Sequence, residues 1–179
     1  MSKLKEYKIS SNNVYKGDFL HVYRDEVKLP NGKTSTREWI NHPGAVCIIP
    51  VLPNGDIALI RQFRYPVNQE MIELPAGKLD SNEVPEKCAL RELEEEIGYS
   101  AKNIKFLTKI HPAIGFANEE MYIYMATELV KTQTNLDKDE FLILHPTTLN
   151  NAMEMVWSGN ITDVKTIIGL HWALKILSE

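Results

Sequence analysis

The sequence predicts an α/β protein in which helices cover the faces of a mixed β-sheet. Strand-like segments come first, then one helix, then further strands and finally two helices, an order that suits a layered α/β sandwich. The run AVCIIPVL at 45–52 is almost continuously apolar, which is typical of a central strand covered on both faces. Apolar residues recur at helical spacing in three later segments, which supplies the helices for those faces.

Residues 1–42 are predicted to form an antiparallel β segment ahead of the main domain at 43–179. The partly alternating FLHVYRDEVKL and the returning TSTREWIN flank Pro30-Asn31-Gly32, whose Asn-Gly pair favours a tight hairpin. Because a two-stranded hairpin is marginal in water, we expect this unit to pack against something else.

The main domain is predicted to continue with strands and helices in turn. Asn54-Gly55 forms a second hairpin between AVCIIPVL and DIALIRQFRY, and later strands are predicted at NIKFLTKIHP, EEMYIYMATEL and FLIL. Two helices close the chain, and Thr162 or Asp163 is expected to cap the second. Their tryptophans, Trp157 and Trp172, are assigned to the core.

The stretch PEKCALRELEEEI is predicted to be an amphipathic helix. Pro85 suits the first helical turn, and Gly98 suits the position just past the end. An apolar stripe repeats at i, i+3 and i+7, formed by Leu90, Leu93 and Ile97.

Three carboxylates, those of Glu92, Glu95 and Glu96, fall together on a different face of this helix. Like charges so placed repel each other by about a few tenths of a kcal/mol per pair, although Arg91 is spaced to pair with Glu95. A hard divalent cation would relieve the repulsion, since Mg²⁺ and Mn²⁺ prefer carboxylate and carbonyl oxygens. A solvated acidic face is the other interpretation that the helix alone leaves open.

The loop before the helix decides between these interpretations. Gly77, five residues, Glu83, seven residues and then RELEEEIGY from Arg91 to Tyr99 match the signature G-x5-E-x7-R-E-U-x-E-E-x-G-U, where U is a bulky aliphatic residue. On these residues the chain resembles the Nudix family at every fixed position. Tyr99 departs from the aliphatic pattern, but this position serves packing. The resemblance implies the Nudix fold, an α/β/α sandwich, over 43–179.

The resemblance also implies a divalent-metal site, with Mg²⁺ expected and Mn²⁺ as the alternative cation. Its expected ligands are the carbonyl of Ala76, the carboxylates of Glu92 and Glu96 and, in or near the shell, Glu95. Arg91, through ion pairing, and Glu83 would hold the acidic helix in place.

Further segments resemble the Nudix enzymes that cleave ADP-sugars. Arg37-Glu38-Trp39 is similar to an R-x-W segment whose tryptophan stacks on adenine. QFRYP is similar to a QFR-x-P segment whose arginine, here Arg64, helps to hold the diphosphate. IELPAGKLD matches the same branch and implies that Glu73 lies beside the ligand.

The residues alone leave two of these choices open. Trp39 also suits a core or a dimer interface, although an indole offers a large stacking face for a base. Arg61 and Arg64 lie three residues apart on one strand and therefore face opposite sides, so at most one is expected at the site. The resemblance selects Arg64, whose fork suits phosphate.

The catalytic base is expected on the polar stretch TQTNLDKDE, which has the composition of a mobile loop. The ADP-sugar enzymes carry their base on a loop in this place. Glu140 is the candidate, with Asp139 next. Glu119 and Glu120 are further candidates, although charges at a strand start are usually solvated.

The expected reaction is metal-dependent hydrolysis of the diphosphate in a nucleoside diphosphate sugar, with ADP-ribose giving AMP and ribose 5-phosphate. GDP-mannose or another sugar nucleotide is the first alternative, and a non-catalytic nucleotide sensor is the second. A net charge of −4 gives no basic surface for nucleic acid. No targeting or membrane segment is recognised, and the two cysteines suggest no disulfide framework, so a cytoplasmic protein is expected. The resemblance implies a homodimer.

Overall fold

The structure is a computed structural model that describes residues 3–136 and 138–178. These residues divide into two compact units. The first contains the residues up to Pro43 together with His111–Glu120, and the second contains Gly44–Ile110 and the residues from Met121 onward. No helix in the described part of the chain is long and apolar enough to cross a bilayer.

The first unit contains a three-stranded antiparallel sheet in the order β1-β2-β3. Its strands are β1 (Tyr7–Lys16), β2 (His21–Lys28) and β3 (Thr34–Asn41). The predicted hairpin joins β2 to β3, with Gly32 at φ 84°. The expectation of two strands was wrong, because β1 adds a third. All ten β1 residues are exposed, so no alternation of buried and exposed positions marks this strand in the sequence.

The second unit contains the remaining elements. In chain order these are β4 (Ala45–Pro50), β5 (Ile57–Arg64), a 3₁₀ turn (Tyr65–Val67), β6 (Gln69–Glu73), β7 (Ala76–Lys78), α1 (Pro85–Ile97), β8 (Tyr99–Ile110), β9 (Met121–Lys131), β10 (Leu142–Thr147), α2 (Leu149–Trp157) and α3 (Val164–Leu177). One sheet has the order β7-β4-β9-β8, and a second has the order β10-β5-β6. The first of these is mixed, because β4 runs parallel to β9 and antiparallel to β7.

Strand β4 is the centre of the layered core, and all six of its residues are buried. Cys47 and Ile49 belong to one apolar cluster that includes residues of α2 and α3. Val46 and Ile48 belong to a second cluster that includes residues of α1. Because successive side chains of a strand point to opposite faces, helices cover both faces of this sheet. The predicted α/β/α sandwich with an N-terminal antiparallel segment is therefore confirmed.

Helix α1 begins at Pro85 and ends before Gly98, as predicted. Gly98 is left-handed at φ 69°, and its N–H donates to the carbonyl of Glu94. The buried face differs slightly from the predicted stripe, because Leu90 is only half-buried and its place is taken by Cys88 and Ala89. Turning the buried face this way also carries Glu96 into the interior.

The two C-terminal helices have side-chain caps. Thr148 accepts from Asn151 N–H at the start of α2, and Asp163 accepts from Thr166 N–H at the start of α3. Of the two caps that the sequence allowed for α3, Thr162 and Asp163, the structure has Asp163. Assigning Trp157 to the core was wrong, because it is the last residue of α2 and is 64% exposed.

Candidate active site

The loop that leads into α1 touches the acidic face of the helix. Gly77 lies in β7 directly against the side chain of Glu92, so a Cβ at this position would overlap the Glu92 carboxyl group. Glycine thus leaves room for the Glu92 carboxyl group, which any larger residue would displace. The fixed glycine of the signature keeps space for a carboxylate that the sequence assigns to a metal.

Arg91 pairs with acidic side chains of the helix and of the loop before it. Its Nε and Nη2 donate to the two carboxylate oxygens of Glu83 at 3.0 and 2.9 Å. Its Nη1 donates to Glu92 at 2.7 Å and to Glu95 at 2.8 Å, which realises the predicted i, i+4 pair. These bonds raise the pKa of Arg91 above its ordinary value, chiefly through Glu83. One guanidinium thereby holds three acidic side chains beside each other.

Glu96 differs from the other acidic residues of α1 because it is only 2% exposed. Its Oε2 accepts from the Ala76 N–H at 3.0 Å, which ties the helix to the loop. Burial raises the pKa of Glu96 well above its ordinary value, and the negative charges of Glu140 and Glu92 raise it further. Burial likewise raises the pKa of Glu92, with Arg91 acting in the opposite direction.

The negative charge of Glu140 adds to the effect of burial in raising the pKa of both Glu92 and Glu96. Glu140 follows the polar segment after β9, 44 positions beyond Glu96 in the chain. Glu140 therefore stays the candidate for the catalytic base. Asp139 is exposed and is not among the charges that act on these two residues. Asp137, in the same segment, lies outside the described residues.

The donor groups at this place suit a hard divalent cation. Glu92, Glu96 and Glu140 offer carboxylate oxygens, and the charges of Glu92 and Glu140 add to the effect of burial in raising the pKa of Glu96. Within residues 3–136 and 138–178, no three His, Cys, Asp or Glu side chains are arranged to hold a metal ion. Glu92 and Glu95 instead pair with Arg91. The residues fit the predicted cation in type, and the carboxylates of Glu92, Glu95 and Glu96 bind protein partners in this structure.

Arg64 and Glu73, both predicted to bind substrate, form a bidentate ion pair across β5 and β6. Arg64 Nε and Nη2 donate to Glu73 Oε1 and Oε2 at 2.7 and 2.8 Å. Glu73 is 2% exposed, whereas the Arg64 side chain is 41% exposed. The hydrogen bonds that Arg64 donates to Glu73 raise the pKa of Arg64. Arg61 lies apart, exposed and paired with Glu70 at 3.3 Å.

Lys165 is a residue of this cluster that the sequence analysis missed. From the first turn of α3, its Nζ donates to Glu73 Oε2 at 2.5 Å and to Asp163 Oδ2 at 2.9 Å. The pairing with Glu73 spans 92 positions of sequence, so no local pattern reports it. The available signal was the lysine itself, which is the one charged residue in the first half of α3.

Trp39 and Arg37 belong to the first unit. Trp39 is half-buried, and its ring stacks on that of Tyr23 with centroids 5.1 Å apart. Its Nε1–H donates to Asp25 Oδ2 at 3.1 Å, and Ser11 holds the other oxygen of that buried carboxylate. Arg37 is exposed and pairs with Glu6. The indole is thus fixed in orientation by two neighbours.

Glu119 and Glu120, the remaining candidates for the base, also lie in the first unit. Glu119 is 3.9 Å from His42 Nε2, and Glu120 is 3.7 Å from His111 Nε2. Neither glutamate is among the charges that raise the pKa of Glu92 or Glu96. Glu140 is the candidate whose charge acts on both Glu92 and Glu96.

The fold and this acidic helix define a Nudix hydrolase, and comparison with known families agrees. A model described as the NUDIX domain matches residues 41–157, and one described as the nucleoside diphosphate sugar hydrolase N-terminal domain matches residues 8–40. The chain belongs to the Nudix family, and the resemblance found in the sequence is confirmed. Nudix hydrolases generally use divalent metal cations.

Individual relatives are similar to this chain over nearly its whole length. The chain is 40% identical over 174 residues to an ADP-ribose pyrophosphatase of Bacillus subtilis, covering 96% of this chain and 94% of that protein. It is 39% identical over 175 residues to a methanol dehydrogenase activator of Bacillus methanolicus, covering 96% and 95%. A crystal structure of an ADP compounds hydrolase superposes with a TM-score of 0.89 at 22% identity, covering 99% of this chain and 97% of that one, which shows the shared fold.

Proposed function

We propose that this protein hydrolyses the diphosphate of nucleoside diphosphate sugars with Mg²⁺, and that ADP-ribose, giving AMP and ribose 5-phosphate, is its first substrate. The observation that carries the proposal is that two carboxylates of α1 meet the loop before the helix, Glu92 at Gly77 and Glu96 at the Ala76 N–H. The similarity to an ADP-ribose pyrophosphatase along nearly the whole chain supports the choice of substrate.

The metal would be held by the carbonyl of Ala76 and the carboxylates of Glu92 and Glu96, with Glu95 in or near the shell. When bound, Mg²⁺, or Mn²⁺ in its place, supplies Lewis-acid neutralisation of the diphosphate charge. Arg91 holds Glu92 and Glu95 in position for this role, and it is itself anchored by Glu83.

Glu140 acts as the general base in this proposal. It takes a proton from the water whose oxygen attacks phosphorus, while the P–O bond of the diphosphate bridge breaks and its electron pair leaves with the departing phosphate. Arg64 binds a diphosphate oxygen through N–H groups that Glu73 does not use.

Trp39 serves as the stacking surface for the nucleobase of the substrate, and Arg37 lies beside it. The indole is already held by Asp25 and Tyr23, so little side-chain entropy is lost when a base stacks on it. Stacking alone does not select adenine. GDP-mannose therefore remains the second candidate substrate.

We also propose that residues 1–42 serve dimerisation as well as base binding, in a cytoplasmic homodimer. All ten residues of β1 are exposed, including the apolar side chains of Ile9, Val14 and Tyr15. Apolar groups in this number on one strand are expected to be covered by a partner. Size-exclusion chromatography with light scattering checks the oligomeric state.

A panel of sugar nucleotides assayed with Mg²⁺ and with EDTA tests the function. We expect the highest kcat/KM for ADP-ribose, AMP and ribose 5-phosphate as products by chromatography, and no turnover in EDTA. A higher kcat/KM for GDP-mannose would make that sugar nucleotide, and not ADP-ribose, the substrate. Absence of turnover with every sugar nucleotide would overturn the proposal and leave a nucleotide-sensing Nudix domain.

A further inference from the structure

Three charged side chains, those of Glu73, Lys165 and Asp163, form a chain of ion pairs behind Arg64 in the second unit. Glu73 is 2% exposed and Lys165 is 7% exposed, while Asp163 is partly covered. Only Arg64 extends from the cluster toward solvent. Buried charges are costly unless they are paired and hydrogen-bonded, so the pairings show what each charge does.

The Asp163 carboxylate accepts hydrogen bonds from the first turn of α3. Its Oδ2 accepts from Thr166 N–H at 3.1 Å and from Thr166 Oγ1, in addition to Lys165. A carboxylate at a helix N-terminus is stabilised by the unpaired N–H groups and by the helix dipole. Asp163 is therefore partly neutralised by the helix, and Lys165 retains positive charge for its second partner, Glu73.

Glu73 accepts from two cations at once. Although burial opposes its charged form, the hydrogen bonds from Arg64 and the charge of Lys165 lower the pKa of Glu73 below its ordinary value. Burial likewise opposes the charged form of Lys165, but the charges of Asp163 and Glu73 raise its pKa. Glu73 is thus a carboxylate shared by an inner lysine and an outer arginine.

This sharing matters for an anionic ligand. If Arg64 were the sole partner of Glu73, the pair would carry no net charge, and a diphosphate reaching Arg64 would also meet the Glu73 carboxylate. Lys165 neutralises that carboxylate from behind. Two of the five Arg64 N–H groups anchor to Glu73, and the rest of the fork can donate outward.

We propose that Lys165 is a positioning residue of the diphosphate site: it neutralises Glu73 from the interior, so that Glu73 fixes the orientation of Arg64 without cancelling its charge toward the ligand. The inference rests on the proposed function, because it takes Arg64 to bind the diphosphate. It assigns a role to a residue outside the Nudix signature, contributed by the last helix of the chain.

The first test compares Lys165→Met with Lys175→Met, the same substitution at an exposed site on the same helix. We expect Lys165→Met to raise KM for ADP-ribose about tenfold, which corresponds to about 1.4 kcal/mol of binding free energy, with a smaller change in kcat. Lys175→Met is expected to leave KM within about twofold of wild type. Both are measured at a temperature where circular dichroism shows each variant to be folded.

The second test removes the charge that Lys165 compensates. In a Glu73→Gln background the carboxylate that Lys165 shares with Arg64 is gone, and Asp163 is still bound to the start of α3. Adding Lys165→Met is therefore expected to change KM by less than about threefold, a coupling that marks two residues acting through one another. The double variant also keeps the comparison available if Lys165→Met alone fails to fold, because replacing both members of a buried ion pair is tolerated better than removing one.

An unchanged KM in folded Lys165→Met, or an equal KM penalty in both backgrounds, would overturn the inference while leaving the proposed function intact. Wild-type protein that turns over no sugar nucleotide would overturn both.

Discussion

Arg91 is the residue through which the acidic face of α1 keeps its shape. Its guanidinium binds Glu83 on the preceding loop and Glu92 and Glu95 on its own helix. Because it contacts all three side chains at once, Arg91 acts as a scaffold for them. The signature spacing made the Arg91–Glu95 pair predictable, because i and i+4 residues of a helix are neighbours. The bidentate contact with Glu83 depends on how the loop folds back and required the structure.

The pairing of Glu83 with Arg91 makes a testable contribution to stability against acid. Hydrogen bonds from Arg91 lower the pKa of Glu83 from 4.5 to about 2 in the folded protein. Because the folded-state pKa is the lower one, this stabilisation is present above about pH 4.5 and is lost as pH falls toward 2. We expect Glu83→Gln to lower the free energy of unfolding by about 1 kcal/mol at pH 7, since the pair is partly solvated.

Urea unfolding of wild type and Glu83→Gln in EDTA, at steps from pH 7 downward, measures this difference. The gap between the two proteins should narrow below about pH 4.5. A gap of constant size across that range would show that the carboxylate charge of Glu83 contributes nothing.

At the level of elements, the contact between β7 and α1 determines where the Glu92 carboxylate lies. Gly77 has no side chain, and the Glu92 carboxyl group occupies the space that a Cβ would need. The sequence predicted both ends of α1 correctly, because Pro85 and Gly98 are direct helix signals. It predicted the buried face less well, since Cys88 and Ala89 are weaker apolar markers than Leu90. The result is that Glu96 lies deeper than an exposed acidic face would suggest.

Gly77→Ala separates the contribution of this contact to turnover from its contribution to the stability of the fold. The added methyl group displaces the flexible end of Glu92 rather than backbone, so we expect the free energy of unfolding to change by less than about 1 kcal/mol. Turnover of ADP-ribose is expected to fall at least about tenfold, because a metal ligand is moved. Gly115→Ala is the matched control, since a Cβ there meets nothing within 4 Å.

Stopped turnover together with a large loss of stability would instead make Gly77 a folding residue. Undiminished turnover in folded Gly77→Ala would show that the position of Glu92 does not matter for the reaction.

For the molecule as a whole, the order of elements and the identity of the acidic helix could be predicted from sequence. Apolar runs, turn residues and a fixed spacing are all local signals. Contacts between distant segments could not be predicted: Lys165 reaches Glu73 across 92 positions, and Asp25 holds Trp39 from a neighbouring strand. Strand β1 was missed because a fully exposed strand carries no pattern of burial.

The central claim is that the carboxylates of α1 carry a metal-dependent hydrolysis, and kcat of Glu96→Gln with ADP-ribose and Mg²⁺ tests it most directly. Glu94→Gln, on the exposed face of the same helix, is the matched control. With both variants folded by circular dichroism, we expect Glu96→Gln to lose about 100-fold or more in kcat and Glu94→Gln to stay within about twofold of wild type. Folded Glu96→Gln with wild-type kcat would contradict the account.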